Sequence, residues 1–439
     1  MTDEQIPTLG QPVETIEPGQ VPNAPAEPPA ASRSQRVLRD ILGGSAVVSI
    51  LAVVIALVVG SVLIAVTDAG VQAASGYFFS RPGDTFAAIA KAIGGAYAAL
   101  FQGAIYNPVR PGFINGILPL TESLTFATPL IAGGLGVALA FRVGLFNIGG
   151  QGQILVACAV GGWVGWSFPL PYFLHMLVAT LAAMAAGAIW AGIVGLLKAR
   201  TGAHEVIVTI MLNSIAFYLI TYLLKTPGAL QAPGSNNPKS PATDPTAVMP
   251  SLTDLLKSFG LGPAEAGSFR VNFGFILVIA ATIFVWWFIN RSSTGFRFRA
   301  VGENANAARF AGINVSRVFV LALAISGALL GLAGATQVLG TTTSGFSNGV
   351  DAGIGFDAIT VALLGRSRPW GVFWAGILFG ALKAGGFAMQ AAQGVPIDLV
   401  LIVQSVIVLF IAAPPLVRTI FHLPTPGSSP RIRLKAVAK

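Results

Sequence analysis

Residues 44–66 read GSAVVSILAVVIALVVGSVLIAV, a run of 23 residues without a charged side chain. At about 1.5 Å per residue, a helix of this length crosses the roughly 30 Å hydrocarbon core of a bilayer. Arg33, Arg36 and Arg39 precede the run and place positive charge at its N-terminal end. The stretch therefore predicts a membrane-spanning helix.

The composition of the whole chain agrees with a membrane location. Of its 439 residues, 54% are hydrophobic, 52 are glycine and only 10% are charged, whereas soluble domains carry about 25% charged residues. This excludes a soluble enzyme and a nucleic-acid-binding protein, although the net charge is +9. Because the chain has one cysteine, Cys158, and three scattered histidines, it has no disulfide framework or metal motif. We expect neither a metal nor a cofactor in this chain.

Apolar runs recur along the rest of the chain and predict ten membrane segments. Their approximate bounds are residues 44–66, 119–141, 148–167, 172–197, 206–224, 271–289, 318–338, 353–365, 370–389 and 397–413. With the N-terminus in the cytoplasm, 18 of the 26 basic residues fall on the inner side. That bias follows the positive-inside rule, so we expect both termini in the cytoplasm.

Ten segments divide into two halves of five, and because five is odd the second half must be inverted relative to the first. The third and eighth segments are then equivalent, and both are short and interrupted by glycine. Short, broken segments at matching positions of two halves indicate a transport site near the bilayer midplane. The predicted fold is an all-α polytopic membrane protein of about ten transmembrane helices in two inverted five-helix halves.

The remaining segments divide the chain into regions. Residues 1–40 are Pro-rich, and we expect a disordered cytoplasmic tail. Residues 41–420 form the transmembrane domain, and residues 421–439 form a basic cytoplasmic tail. Within the domain we expect extracytoplasmic loops at 67–117 and 225–270, and a cytoplasmic loop at 291–317. Asp84 to Tyr106 predicts a helix lying outside the bilayer. The second loop is rich in proline and predicts an ordered or a lid-like loop, and its length is typical of a functional loop.

The stretch GLFNIGGQGQ at 144–153 predicts a helix break, because each glycine costs a helix about 1 kcal/mol relative to alanine. Such a break is tolerated in a membrane where it lines a cavity. Asn147, Gln151 and Gln153 could then hydrogen-bond a neutral polar solute. The alternative is a tight cytoplasmic turn whose polar side chains face water.

A second break, SNGVDAGIGFD at 347–357, ends with Phe356 and Asp357. Asp357 either caps the following short helix, where the helix dipole favours a carboxylate, or contacts the solute. Glu122 and Lys383 are the other ionisable residues in or near the spans, and such residues are functional candidates because inserting them is costly. For Lys383 the alternatives are a structural pair with an acid, or snorkelling to the interface.

The cytoplasmic stretch GENANAARFAG at 302–312 predicts a short helix held outside the membrane. Asn304 is a favourable N-cap and Gly312 a typical residue after the C-cap. So short a helix is marginal alone, so it is expected to dock against a cytoplasmic partner or, alternatively, to rest on lipid headgroups.

Five runs together resemble a known family. They are TPLIAGGL (128–135), FRVGLFNIGGQGQ (141–153), HEVIVTIMLN (204–213), RAVGENANAARFAGI (299–313) and GFDAITVALLG (355–365). The chain, over about 44–413, is similar to the permease subunits of bacterial ABC importers in the branched-chain amino acid and simple-sugar permease superfamily. It most resembles the nucleoside-type permeases.

This resemblance implies a set of partners in the bacterial cytoplasmic membrane. A separate ATPase subunit binds ATP, since the chain has no Walker A motif. An extracytoplasmic lipoprotein delivers the solute, and a second permease chain, commonly a different protein, completes the path. The residues implied to form the ATPase-coupling helix are Gly302, Glu303, Asn304, Ala307, Ala308, Arg309 and Gly312. An Ala308→Trp substitution is expected to uncouple the ATPase and leave the fold intact.

The expected function is therefore translocation of a neutral polar solute, a nucleoside or a simple sugar, with branched-chain amino acids not excluded. The candidate pathway residues are Glu122, Asn147, Gln151, Gln153, Asn213, Phe356 and Asp357. The alternative is an ion-coupled secondary transporter, which also uses inverted repeats and broken helices. An intramembrane enzyme is excluded, because no nucleophile–base pair or metal cluster occurs at a suitable spacing.

Overall fold

The computed structural model describes residues 45–258 and 269–421, and within these ranges the chain is helical. The tail expected at 1–40, and all but the first residue of the tail expected at 421–439, lie outside the described residues. The described helices are α1 (Ser45–Thr67), α2 (Ala69–Ser75), α3 (Pro82–Ala104), α4 (Phe113–Gly116), α5 (Leu118–Phe141), α6 (Gly150–Ser167), α7 (Tyr172–Thr201), α8 (Glu205–Lys225), α9 (Leu252–Ser258), α10 (Phe273–Arg291), α11 (Ser293–Glu303), α12 (Ala305–Phe310), α13 (Val315–Thr336), α14 (Ile354–Leu364), α15 (Pro369–Gln393), α16 (Ile397–Ala412) and α17 (Pro414–Ile420), with a π-helical turn at Gln337–Thr341.

Each of the ten predicted membrane segments coincides with a helix. Seven stretches in the described residues are long and apolar enough to cross a membrane; they contain α1, α5, α7, α8, α10, α13 and α15. The other three segments form shorter helices: α6 with 18 residues, α14 with 11 and α16 with 16. Of the two segments expected to be broken, α14 is the shortest, but α6 is longer than α16.

Helices α5 and α13 form the centre of the bundle and pack against each other. Helix α13 also packs on α7 and α6, and α5 packs in the same way on α15 and α14. If α5, α6 and α7 are the second to fourth segments, then α13, α14 and α15 are the seventh to ninth. The two sets therefore make matching contacts. The outer helices do not match, since α10 packs on α5 whereas α1 packs on α16 and α3.

Small residues allow the central helices to approach closely, as small residues at four-residue spacing do in membrane bundles. On α13, a Cβ atom built at Gly331 would lie 2.5 Å from the carbonyl oxygen of Ala183 in α7. On α15, one built at Gly380 would lie 2.5 Å from the carbonyl oxygen of Ser123 in α5. No side chain fits at either contact, which explains why glycine occupies both positions.

Helix α3 packs beside the membrane-spanning candidates, although the sequence predicts a helix lying outside the bilayer. The hydroxyl of Tyr97 donates a 2.5 Å hydrogen bond to the carbonyl of Leu57, halfway along α1. Gly103 of α3 lies against Ala388 of α15. The C-terminal half of α3 is therefore part of a second apolar cluster with α1, α15 and α16.

The loop after α8 is folded onto the ends of α6 and α13, as an ordered loop was expected to be. The hydroxyl of Thr243 donates to the carbonyl of Val338 over 3.0 Å, and the amide of Met249 donates to that of Leu339 over 2.8 Å. Both carbonyls belong to the π-helical turn, where the irregular hydrogen bonding leaves backbone acceptors for an external donor. The loop thus covers one end of the bundle.

Candidate functional site

The break between α5 and α6 is closed by two buried carboxamides. Asn147 and Gln153 are 0% and 1% exposed. The amide nitrogen of Gln153 donates to the oxygen of Asn147 over 2.9 Å, and that of Asn147 donates to the hydroxyl of Ser326 over 2.9 Å. The pair therefore joins the break to α13. Nothing in the sequence pointed to Ser326 as the third member.

Asn213 supports the same break from α8. Its side-chain oxygen accepts a 2.9 Å hydrogen bond from the amide of Gly152, and its nitrogen donates to the carbonyl of Ile148 over 2.9 Å. Both backbone groups belong to the broken segment and need a partner away from water. In this conformation Asn147, Gln153 and Asn213 face the protein interior, so a solute could reach them only if the break opened.

The second break meets the first one. A Cβ atom built on Gly150, the first residue of α6, would lie 2.7 Å from the carbonyl oxygen of Gly355 in the first turn of α14. Next to this contact, the side chain of Gln151 hydrogen-bonds the carboxylate of Asp351, which is 5% exposed. The N-termini of α6 and α14 therefore contact each other. We call this contact region, formed by Gly150, Gln151, Asp351 and Gly355, the junction.

Phe356, Asp357 and Lys383 lie beside the junction. The ammonium group of Lys383 is 3.5 Å from the carboxylate of Asp357 and donates a 3.1 Å hydrogen bond to the carbonyl of Ala352. The N-cap of α14 is Gly353, and Asp357 pairs with Lys383 rather than capping the helix. Phe356 is 50% exposed. The surface next to the junction therefore combines an open aromatic ring with a carboxylate and an ammonium group.

Glu122 lies apart from this cluster, in the first turns of α5. Its carboxylate is 3.1 Å from the guanidinium of Arg270, and both groups line a cavity of about 430 Å³ between α3, α5 and α15. Gln102, Asn107 and Thr121 add polar groups to its wall. The sequence predicts Glu122 in one pathway with the residues of the two breaks, but none of those residues lines this cavity.

The short helix α12 forms as expected from its caps. The side chain of Asn304 accepts hydrogen bonds of 3.0 Å from the amides of Asn306 and Ala307, and Gly312, with φ of +80°, follows the end of α12. Glu303, Ala307 and Arg309 are exposed, and Phe310 is 95% exposed. An aromatic side chain so exposed on a short helix is typical of a contact site for a partner protein.

Two residues of the expected coupling set face their own chain instead. Ala308 is 4% exposed and belongs to the main apolar core. Gly302 lies so close to Arg142 that an added Cβ atom would overlap the arginine carbonyl oxygen. Because a tryptophan at position 308 would have to enter this core, Ala308→Trp is not the fold-preserving probe that the sequence suggested.

A buried histidine, for which no sequence motif indicated a role, anchors the loop after α8. His175 is 0% exposed; its Nδ1 lies 2.6 Å from the Thr246 hydroxyl and its Nε2 lies 3.0 Å from the Val164 carbonyl oxygen. The backbone amide and hydroxyl of Thr246 both donate to Asp244, at 2.9 and 2.8 Å. These bonds lower the pKa of Asp244, since they stabilise its carboxylate.

Comparisons with known proteins place the chain in a family. The model of the family described as "Branched-chain amino acid transport system / permease component" matches residues 120–412. The guanosine ABC transporter permease NupP of Bacillus subtilis is 39% identical over 308 residues, which cover 70% of this chain and 85% of NupP.

Two other relatives are similar over much of their length. The glucose ABC transporter permease TsgB13 of Haloferax volcanii is 36% identical over 292 residues, 66% of this chain and 75% of TsgB13. A second guanosine permease of Bacillus subtilis, NupQ, is 28% identical over 271 residues, 60% of this chain and 79% of NupQ. No solved structure matches the chain significantly. The chain therefore belongs to the branched-chain amino acid transport system permease family, as a multi-pass membrane subunit of an ABC transporter and not itself an enzyme.

Proposed function

We propose that the chain forms part of an import path for a nucleoside or a simple sugar. The observation that carries the proposal is the junction, where two broken helices begin at one point beside Phe356, Asp357 and Lys383. An aromatic ring can stack on a base or a sugar ring, and charged side chains bind hydroxyl groups with strong hydrogen bonds. The substrates in the names of NupP and TsgB13, guanosine and glucose, agree with such a solute.

The proposed topology has ten crossings in two inverted halves, with both termini and α12 in the cytoplasm. The matching contacts of α5 to α7 and of α13 to α15 support the inverted repeat. Helices α14 and α16, with 11 and 16 residues, are short for full crossings, but broken helices near a transport site are typical of such repeats. On this basis residues 41–420 form the permease domain, with 225–270 outside and 291–317 inside. The segment 67–117 lies on the outer side, except that the C-terminal half of its helix α3 packs against the membrane helices.

Cysteine labelling tests the topology, because the one native cysteine, Cys158, is buried. Phe310→Cys is expected to react with a membrane-impermeant maleimide only when the cytoplasmic face is open. Asn236→Cys, in the exposed part of the outer loop, is expected to react from outside. Labelling of both positions from the same face would contradict the inverted arrangement.

The proposed partners are an ATPase subunit that binds ATP, an extracytoplasmic binding lipoprotein and a second permease. The ATPase docks on α12 through Phe310, Arg309 and Ala307, which are exposed. Two guanosine permeases of one bacterium match this chain, and NupP is the more similar. That pairing supports a heteromeric path in which this chain takes the position of NupP.

Reconstitution of the complete transporter in proteoliposomes tests the function. With ATP inside and the binding lipoprotein outside, we expect uptake of labelled guanosine or of a pentose or hexose, and none without ATP. Uptake of leucine alone would contradict the proposed solute class. Accumulation driven by an ion gradient without the ATPase would instead favour the ion-coupled carrier that the sequence left open.

A further inference from the structure

Three cytoplasmic segments that are far apart in sequence meet at Arg142, the residue that follows α5. They are the turn between α5 and α6, the turn between α14 and α15, and the end of α11, which leads into α12. The contacts of Arg142 join all three. No sequence motif indicated a functional role for this residue.

The first contact is a hydrogen bond between the two turns. The Nε atom of Arg142 donates to the carbonyl of Ser367 over 2.9 Å, across 225 positions of sequence. Each of the two turns is linked to a break. The first leads within five residues to Asn147, and the second ends α14, whose other end lies at the junction.

The second turn has a conformation that the chain does not adopt freely. Arg366 and Ser367 are consecutive non-glycine residues with φ of +52° and +51°. Left-handed backbone is unfavourable for a residue with a Cβ atom, and it persists where surrounding contacts hold it. The amides of Arg366 and Ser367 donate to Leu363 and Ala362, each over 2.9 Å. The bond from Arg142 to the carbonyl of Ser367 adds an anchor from outside the turn.

The third contact comes from the end of α11. Gly302 lies directly against the backbone of Arg142, with no space for a Cβ atom. The next residue, Glu303, is the last of α11, and Asn304 already caps α12. Two residues, Gly302 and Glu303, therefore separate the N-cap of α12 from the contact with the main chain of Arg142.

Arg142 lies among charged groups of both signs. Burial lowers the pKa of Arg142, the nearby Arg368 and Arg299 lower it further, and Glu303 opposes them. A guanidinium keeps its charge even so. With like charges on two sides, its clearest gain is the directed bond to Ser367, for which a planar guanidinium is better suited than an ammonium group.

We propose that Arg142 is a positioning residue that transmits movement of α12 to both helix breaks. The inference rests on the proposed docking of the ATPase on α12 and adds the route by which that docking reaches the junction. When α12 moves with the ATPase, Gly302 displaces Arg142. Arg142 then moves the α5–α6 turn through its backbone and the α14–α15 turn through its side chain.

The test uses the complete transporter and measures solute uptake together with ATP hydrolysis. Arg142→Met and Arg142→Lys both remove the N–H donor at the Nε position, and Arg142→Lys keeps the positive charge. We expect both variants to bind the ATPase and to hydrolyse ATP within about twofold of the unmodified transporter. The number of solute molecules taken up per ATP should fall at least tenfold. Arg297→Gln, which removes an exposed charge from the same cytoplasmic loop, should leave this ratio unchanged.

A conformational readout separates transmission from general damage. Phe356→Cys places an accessible thiol beside the junction, and its labelling rate should change when ATP is added to the transporter. In combination with Arg142→Lys, that ATP-dependent change should disappear while the labelling rate without ATP stays the same. A normal ratio of uptake to hydrolysis in both Arg142 variants, or an ATP response that persists, would overturn the proposal.

Failure of the proposed function itself would look different. If the chain is not part of an ATP-driven importer, the transporter with Arg142 intact would show no ATP-driven uptake. If α12 is not the docking site, Phe310→Ala would leave ATPase binding unchanged. If only the transmission route is wrong, the intact transporter would work, and the Arg142 variants would work equally well.

Discussion

Gly150 and Gly355 are so close that a Cβ atom on the first would lie 2.7 Å from the carbonyl oxygen of the second. The first turns of helices α6 and α14 therefore pack against each other, and each helix follows a break in the chain. The contact brings the third and eighth predicted segments together at matching ends. It also concentrates two helix N-termini, with their partial positive charge, in one place.

The first prediction concerns this contact. Gly355→Ala should destabilise the protein by about 1–3 kcal/mol, the usual cost of overpacking, because the new methyl group would overlap the backbone of Gln151. The thermal unfolding midpoint in detergent measures the effect. The control is Gly192→Ala in α7, where no atom lies within 4 Å of the added Cβ. Equal midpoints for both variants would show that the two helices do not touch at these glycines.

The second prediction distinguishes a structural role of the buried carboxamides from direct contact with the solute. Asn147→Ala should cost about 1–3 kcal/mol of stability, because Gln153 is left with unpaired polar atoms. The double variant Asn147→Ala/Gln153→Ala should cost less than the two single changes added together. The exposed Asn290 bonds only its own helix, so Asn290→Ala is the control. Unchanged stability with lost uptake would instead indicate solute contact.

The third prediction compares two neighbouring alanines of α12. Ala307→Trp, on the exposed side, should leave the unfolding midpoint unchanged and abolish copurification of the ATPase subunit. Ala308→Trp should lower the midpoint and the yield of folded protein, because Ala308 is 4% exposed within the core. If both variants behave alike, α12 does not turn Ala308 toward the core and Ala307 toward the partner.

The fourth prediction concerns the loop after α8 and the pH dependence of its contribution to stability. The amide and hydroxyl of Thr246 lower the pKa of Asp244, so its carboxylate stabilises the fold above the unfolded-state pKa of about 3.9. That contribution is lost as the pH falls through the lower pKa of the folded state. Asp244→Asn should therefore be less stable than the unmodified protein at pH 7, with a difference that shrinks in acid. Thermal unfolding at several pH values measures it.

Thr246→Val is the matched variant for this loop, since it removes the hydroxyl and keeps the backbone amide. It should reproduce part of the loss seen with Asp244→Asn, and it also removes the contact with His175. A difference between Asp244→Asn and the unmodified protein that is constant from pH 7 into acid would contradict a stabilising role of the carboxylate.

Local features of the sequence predicted the helices well. Asn304 and Gly312 bound α12 because capping depends on backbone geometry within a few residues. The apolar runs coincide with helices because a helix satisfies its own backbone hydrogen bonds in lipid. The ten-crossing, inverted topology stays a prediction.

The bonding partners of the two buried carboxamides could not be predicted from the sequence. Asn147 and Gln153 have the composition of a solute-binding segment, yet in this conformation they bind each other and Ser326. Ser326 lies 179 positions from Asn147 in the sequence, and no local sequence pattern predicts so distant a partner. The exposure of Phe310 beside the burial of Ala308 likewise depends on how α12 rests against the core.

The order of the residues is enough to identify a helical membrane protein and, through its motifs, the family to which it belongs. Hydrophobic length, charge bias and capping are local quantities, so no knowledge of the fold is needed to recognise them. The contact of the two breaks at Gly150 and Gly355, and the bond by which Arg142 joins turns 225 residues apart, became visible in the folded bundle alone. Those contacts arise from close packing between distant segments, where the geometry of the whole bundle selects the partners.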